Sequence, residues 1–148
     1  MDLLVFILQN IKLLRILLCL NAILFSINIG AQSTFQIMLQ KAKNGDAMAQ
    51  NNVVAYYKEA GDCESAYYWY TQAIRQNDPI ALYGMGQCHA MGCGTEINYR
   101  LAALYFRMAA DKGVREAQLV LSEMYERGVG VAQDYSQAVY WRNKANNY

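Results

Sequence analysis

Laid on itself at an offset of 36 residues, the chain matches itself across its C-terminal half. That internal period constrains the fold more than any single motif does. Ala81 falls on Ala117, Met85 on Leu121, Gly92 on Gly128 and Gly94 on Gly130; Asn98 falls on Asp134, Ala102 on Ala138, Tyr105 on Trp141 and Ala109 on Ala145. An earlier copy joins them, because Asp62, Ala66, Trp69 and Ala73 stand 36 residues before Asn98, Ala102, Tyr105 and Ala109. Upstream of Asp62 the offset shrinks to 32 (Ala49 to Ala81, Tyr57 to His89), so the first copy has an inter-helix loop four residues shorter.

Each copy reads as two helices. The first, helix A, carries apolar or small residues at Ala49, Val53, Val54 and Tyr57, then at Ala81, Met85, Gly86 and His89, then at Ala117, Leu121, Ser122 and Tyr125. Steps of about four, one and three residues keep such positions on one helical face. Asp78-Pro79 opens the second helix A with a side-chain acceptor and a proline in the first turn. Gly92-Cys93-Gly94 and Gly128-Val129-Gly130 end the second and third, where glycine can take the left-handed conformation that stops a helix. Helix B then starts at Asp62, Asn98 or Asp134 and presents Ala66, Trp69, Ala73 and their equivalents on one face. A pair of this kind cannot bury both faces alone, so successive pairs must stack. Residues 35–44 read as a preceding helix B that ends at Gly45, giving seven helices past the leader.

The third copy, Ala117-Gln118-Leu119-Val120-Leu121-Ser122-Glu123-Met124-Tyr125-Glu126-Arg127-Gly128-Val129-Gly130-Val131-Ala132-Gln133-Asp134-Tyr135 through Ala138, Trp141 and Ala145, resembles a Sel1-like repeat, a relative of the tetratricopeptide repeat. The resemblance divides the chain into a leader (1–31), an N-terminal helix completing the array (32–44) and Sel1-like repeats over 45–76, 77–112 and 113–148. It implies an all-α, right-handed α/α solenoid with a concave, partner-binding surface and no common reaction. Two residues depart from the family pattern: Ser122 stands at a usual glycine and His89 at a usual tyrosine.

The leader is the apolar part of the chain. Up to Ile29 its only charges are Asp2, Lys12 and Arg15, and Ile16 to Phe25 form an apolar run followed by Gly30-Ala31. A charged start, a run of about a dozen apolar residues and a small residue after it describe a secretory signal, with cleavage expected after Ala31. An uncleaved anchor retaining residues 3–29 is the alternative, although Asn10, Lys12 and Arg15 interrupt the roughly 20 apolar residues that a spanning helix needs. The expectation is therefore an exported protein, periplasmic or secreted, that meets a membrane only if the leader stays.

Of 13 basic and 12 acidic residues the leader takes two and one, so the remainder is near neutral. It has no cluster of Lys and Arg of the kind a nucleic-acid groove needs. Cys88, His89 and Cys93 supply three potential metal ligands, but structural zinc needs a fourth. His89 is the sole histidine and occupies a packing position, so it is assigned to the core edge. Gly92-x-Gly94 and Gly128-x-Gly130 lack the strand, third glycine and lysine of a phosphate cradle and recur at the repeat offset, which makes them turns. No catalytic residue, metal or cofactor is expected.

Past the leader, Cys63, Cys88 and Cys93 allow one disulfide and one leftover thiol in an oxidising compartment. Cys88 and Cys93 are close in sequence and are the candidate pair, with Cys63 at the start of the neighbouring helix B. The connectivity depends on Cα separations that sequence does not supply.

By the resemblance, the groove is lined by helix-A positions that alternate with the packing ones: Asn51, Ala55 and Lys58; Tyr83, Gln87 and Met91; Leu119, Glu123, Glu126 and Arg127. Such a surface, part aromatic and part amide or charge, suits a peptide or glycan better than a polyanion. The expected function is an exported scaffold for protein–protein interaction; a cell-wall or glycan-associated protein and a membrane-anchored adaptor are the alternatives. Because the sequence stops soon after the last helix with no polar capping helix, an apolar edge around Leu121, Val139 and Trp141 is expected, covered by self-association or by the partner.

Overall fold

The computed structural model describes residues 34–146 together with Leu18, Leu20, Asn21, Ile23 and Gly30. The expected cleavage point at Ala31 and most of the apolar leader lie outside the described residues. The leader residues that are described are helical and exposed, and among the described residues no helix is long and apolar enough to cross a membrane. The chain divides into two units, Met1–Met38 and Leu39–Tyr148.

Helical residues run over 34–43 (α1), followed by α2 (Ala47–Glu59), α3 (Cys63–Ile74), α4 (Pro79–Met91), α5 (Tyr99–Asp111), α6 (Arg115–Arg127) and α7 (Tyr135–Asn146). There is no strand among the described residues. From α2 onward each helix packs on its neighbours in sequence. The architecture is therefore all-α and serial, as the period requires.

The helix starts follow from their caps. Asp46, Asp62, Asp78 and Asn98 each accept a backbone N–H of the first turn, and Asp134 accepts those of Ser136 and Gln137. In Asp62 the bonds from the Ser65 backbone and hydroxyl hold the carboxyl below its ordinary pKa. Of α2 to α7, only α6 starts without a side-chain cap, at Val114. Three residues join α2 to α3, whereas seven join α4 to α5 and seven join α6 to α7, so the trimmed loop is real. The register survives the trimming: Asp62, Asn98 and Asp134 each donate their backbone N–H to the carbonyl of Tyr57, His89 and Tyr125 respectively, at 2.8–2.9 Å.

Glycine is required where the loop after a helix A folds back onto the preceding helix B. At Gly94 (φ +71) a Cβ would lie 2.5 Å from the Cys63 carbonyl oxygen, and at Gly130 (φ +71) it would overlap the Tyr99 carbonyl. Cys63 and Tyr99 are repeat equivalents, so the same close approach is built twice.

The core runs along the helix interfaces. Leu82, Ala109, Ala110, Val114, Ala117, Leu121 and Trp141 form one cluster, and Ala102, Ala103, Phe106 and Met124 another. Small residues at fixed places admit large rings: the Tyr70 ring occupies the space a side chain at Gly84 would need, and Phe106 does the same at Gly86. Ser122, the departure from the family glycine, is accommodated because its hydroxyl donates to the Ala138 carbonyl at 2.8 Å. Two buried glutamines recur at equivalent places: Gln50 donates to the Ala42 carbonyl (3.1 Å) and Gln118 to the Ala110 carbonyl (3.0 Å), tying a helix A to the helix before it.

The expected apolar C-terminal edge is corrected. Leu121 is 1% and Trp141 2% exposed within the chain itself, and only Val139 of the three remains open, at 52%. Arg107 and Lys144 reach over the Trp141 ring, their cationic heads 5.2 and 4.8 Å from its centroid. Long basic side chains thus cover the indole with their stems while keeping charge in water. Leu121 and Trp141 offer no surface for self-association.

Burial also makes Tyr70 a titration probe. Desolvation, with smaller effects from neighbouring Cys88 and Tyr83, pushes its phenol up to about 12. The folded chain then holds this proton more tightly than the unfolded one, whose tyrosine titrates near 10. Its contribution to stability is complete below pH 10 and is lost as pH climbs towards 12, at up to about 1.4 kcal/mol per pH unit. Urea unfolding at pH 9, 10 and 11 should show this decline, and Tyr70→Phe should flatten it.

Candidate functional site

The structure corrects the cysteine pairing expected from sequence: the disulfide joins Cys63 to Cys93, with Cα atoms 4.9 Å apart, and not Cys88 to Cys93. Helix geometry gives the reason. Cys88 lies on the core face of α4, 3% exposed, and burial raises its thiol pKa. Cys93 lies beyond Gly92, whose left-handed turn directs the loop back to the start of α3. There Gly94 sits against the Cys63 carbonyl, so the two chain segments are already in contact where the sulfurs join. Cys88 remains a free, buried thiol.

His89 is 5% exposed, stacked on Tyr105 (ring centroids 5.5 Å apart, planes 3° apart) and met edge-on by Tyr67 at 5.9 Å. With Cys93 bonded to Cys63, the three residues first weighed as metal ligands point to separate surroundings. Among the described residues no three His, Cys, Asp or Glu side chains are grouped to hold a metal ion.

Eight of the ten helix-A positions assigned to a groove fall into two hollows. Tyr83, Gln87 and Met91 from α4 and Glu123 and Arg127 from α6 line a cavity of about 270 Å³, together with Tyr99, Phe106 and Val129. Asn51, Ala55 and Lys58 line another, of about 360 Å³, with Glu59, Tyr70 and Ile80. The two hollows are repeat equivalents. Asn51, Ala55 and Glu59 stand 32 residues before Tyr83, Gln87 and Met91, and Tyr70 stands 36 before Phe106. The first hollow is therefore polar at its helix-A wall, with Asn51 bonded to Asp78 at 2.9 Å, and the second is aromatic and thioether-lined. Leu119 and Glu126 line neither; Glu126 turns to α7, where its carboxylate pairs with Arg142 at 2.6 Å. Tyr99, Phe106 and Val129 were missed in the sequence because they belong to helix B and the loop, whereas the alternation rule looked only at helix A.

The profile of the Sel1 repeat family matches residues 47–78, 79–114 and 115–146. The chain belongs to the Sel1 repeat family. A Sel1 repeat protein from Oxalobacter formigenes superposes with a TM-score of 0.71 at 29% identity, covering 76% of this chain and 88% of that one. A protective antigen present in uropathogenic Escherichia coli strains, of the same repeat fold, superposes at 0.72 and 30% identity, over 78% of this chain and 25% of that one. Among curated relatives, chitin synthase regulatory factor 3 of Schizosaccharomyces pombe is 28% identical over 128 residues, 82% of this chain. The chain spans 14% of that regulator's length. Sel1 repeats are scaffolds that generally mediate protein interactions and are typically non-catalytic, and this chain is a Sel1-repeat scaffold.

Proposed function

We propose that the chain is an exported scaffold that holds an extended peptide segment of a protein partner across its two helix-A hollows. The observation that carries this reading is their repeat equivalence: two hollows in register along successive helices A suit a linear ligand better than a compact one. The aromatic hollow takes an apolar side chain over Tyr83, Tyr99 and Phe106. Gln87, Glu123 and Arg127 at the same hollow, and Asn51 and Lys58 at the other, supply hydrogen bonds to its backbone and polar flanks. Buried aromatic anchors with a polar rim are where binding energy concentrates.

Export rests on the charged-then-apolar leader ending in Gly30-Ala31 and on the Cys63–Cys93 bond, which persists in oxidising compartments. The mature protein is expected to begin at Gln32 and to carry one disulfide and one free thiol, measurable by intact mass before and after alkylation in denaturant. A retained leader would leave the anchored adaptor in its place.

Met91 is 66% exposed at the aromatic hollow, so Met91→Glu leaves the fold intact while placing a charge where the apolar side chain sits. Cross-linked partner recovered with the exported protein from its native cells should fall about tenfold or more in this variant. Equal recovery by wild type and Met91→Glu would remove the groove from the account.

A further inference from the structure

On the face of α5 next to the one at the aromatic hollow, one repeat lacks a ring that its neighbour has. Tyr67 lays its ring edge-on against His89, 5.9 Å between centroids. One repeat later Tyr125 stands in place of His89, but Ala103 stands in place of Tyr67. Beside Ala103, itself only 3% exposed, lies a cavity of about 230 Å³ lined also by Leu104, Tyr125 and Val131, with Arg100 and Arg107 among its walls. It is smaller than the roughly 300–1,000 Å³ of drug-sized ligand sites, which suits a single ring.

The two arginines set the charge of the occupant. Seven residues apart on α5, they lie on one face with Leu104 between them. Arg107 is fixed in place: it donates to the Tyr125 hydroxyl at 3.2 Å and lies over the Tyr125 and Trp141 rings, 6.0 and 5.2 Å from their centroids. Among the described residues neither guanidinium has a carboxylate within ion-pair distance, and the one ion pair is Arg142–Glu126. A ring-sized apolar hollow beside two cations without counter-charge is complementary to a planar anion, and guanidinium recognises carboxylate by paired N–H donors.

We propose that this cavity binds a small aromatic carboxylate, its ring in the room that Tyr67 fills one repeat earlier and its carboxylate on Arg100 and Arg107. The site is separate from the helix-A hollows and independent of any peptide partner.

The test titrates the oxidised, isotope-labelled protein with 3-(4-hydroxyphenyl)propanoate and, in parallel, with its neutral relative 4-ethylphenol, following amide and arginine side-chain resonances. The acid should give saturable shifts at Ala103, Arg107 and Tyr125, with affinity roughly tenfold above that of the phenol at low salt and a smaller margin at high salt. Ala103→Tyr, which restores the ring found at Tyr67, should abolish binding. Arg100→Gln should erase the preference for the acid; Arg100 is exposed, so this variant decides the matter even if Ala103→Tyr fails to fold. Absence of saturable shifts at these residues, equal affinity for acid and phenol, or undiminished binding in a folded Ala103→Tyr would overturn the proposal.

Discussion

Trp141→Ala is expected to cost about 3–5 kcal/mol of unfolding free energy, the range for deleting a buried large aromatic. Trp141 is 2% exposed and belongs to the cluster with Leu82, Ala110, Ala117 and Leu121, so it puts α7 into a core shared with three earlier helices. Its removal also strips Arg107 and Lys144 of the surface they cover. Against a domain stability of about 5–15 kcal/mol, that loss is a large share of the total. In a serial array the damage should stay near the substitution, with the amides of α6 and α7 exchanging first. Trp141→Phe should cost less, about 1–2 kcal/mol, because it leaves a smaller void and the indole N–H it removes has no hydrogen-bond partner among the described residues. Urea unfolding followed by far-UV circular dichroism checks both, and an alanine variant within about 1 kcal/mol of wild type would contradict the burial described.

Breaking the disulfide should come close behind. Cys63 and Cys93 are 30 residues apart, and closing a loop of that length removes chain entropy worth roughly 3–4 kcal/mol from the unfolded state. The double variant Cys63→Ser/Cys93→Ser avoids a stray thiol, and its urea midpoint should match that of reduced wild type. The next repeat makes the comparison instructive, because Tyr99 and Val129 occupy the equivalent positions and make the same turn without a covalent bond. The serine variant should therefore fold into the same helices with lower stability rather than fail to form them. Wild type with an unchanged midpoint after full reduction would contradict this. Cys88, buried in α4, should stay unreactive to alkylating reagents in both proteins until they unfold.

The fold was legible because its signals repeat. Asp62, Asn98 and Asp134 mark helix starts in register, Gly92 and Gly128 mark helix ends, and the offset of 32 instead of 36 marks the short loop. Long-range choices were not legible. The bond between Cys63 and Cys93 depends on how a loop leaves Gly92 and where the preceding helix begins, which proximity in sequence misrepresents. Trp141 was assigned to an open edge because the reach of Arg107 and Lys144 over its ring is not legible in the sequence. Gln50 and Gln118 carried a signal that went unread, since identical amides recurring at equivalent helix-A positions beside Ala49 and Ala117 already suggested a buried, repeated role. In the groove, five of the ten assigned positions meet at one hollow and three at its equivalent, while Glu126 is drawn off by Arg142.

The sharpest measurement is site-specific photo-cross-linking in the native cells, with a benzophenone amino acid at Gln87 on the helix-A side and, separately, at Met108 on exposed helix B. A partner lying across the hollows is captured from Gln87 and not from Met108; capture from Met108 with none from Gln87 would place the working surface elsewhere.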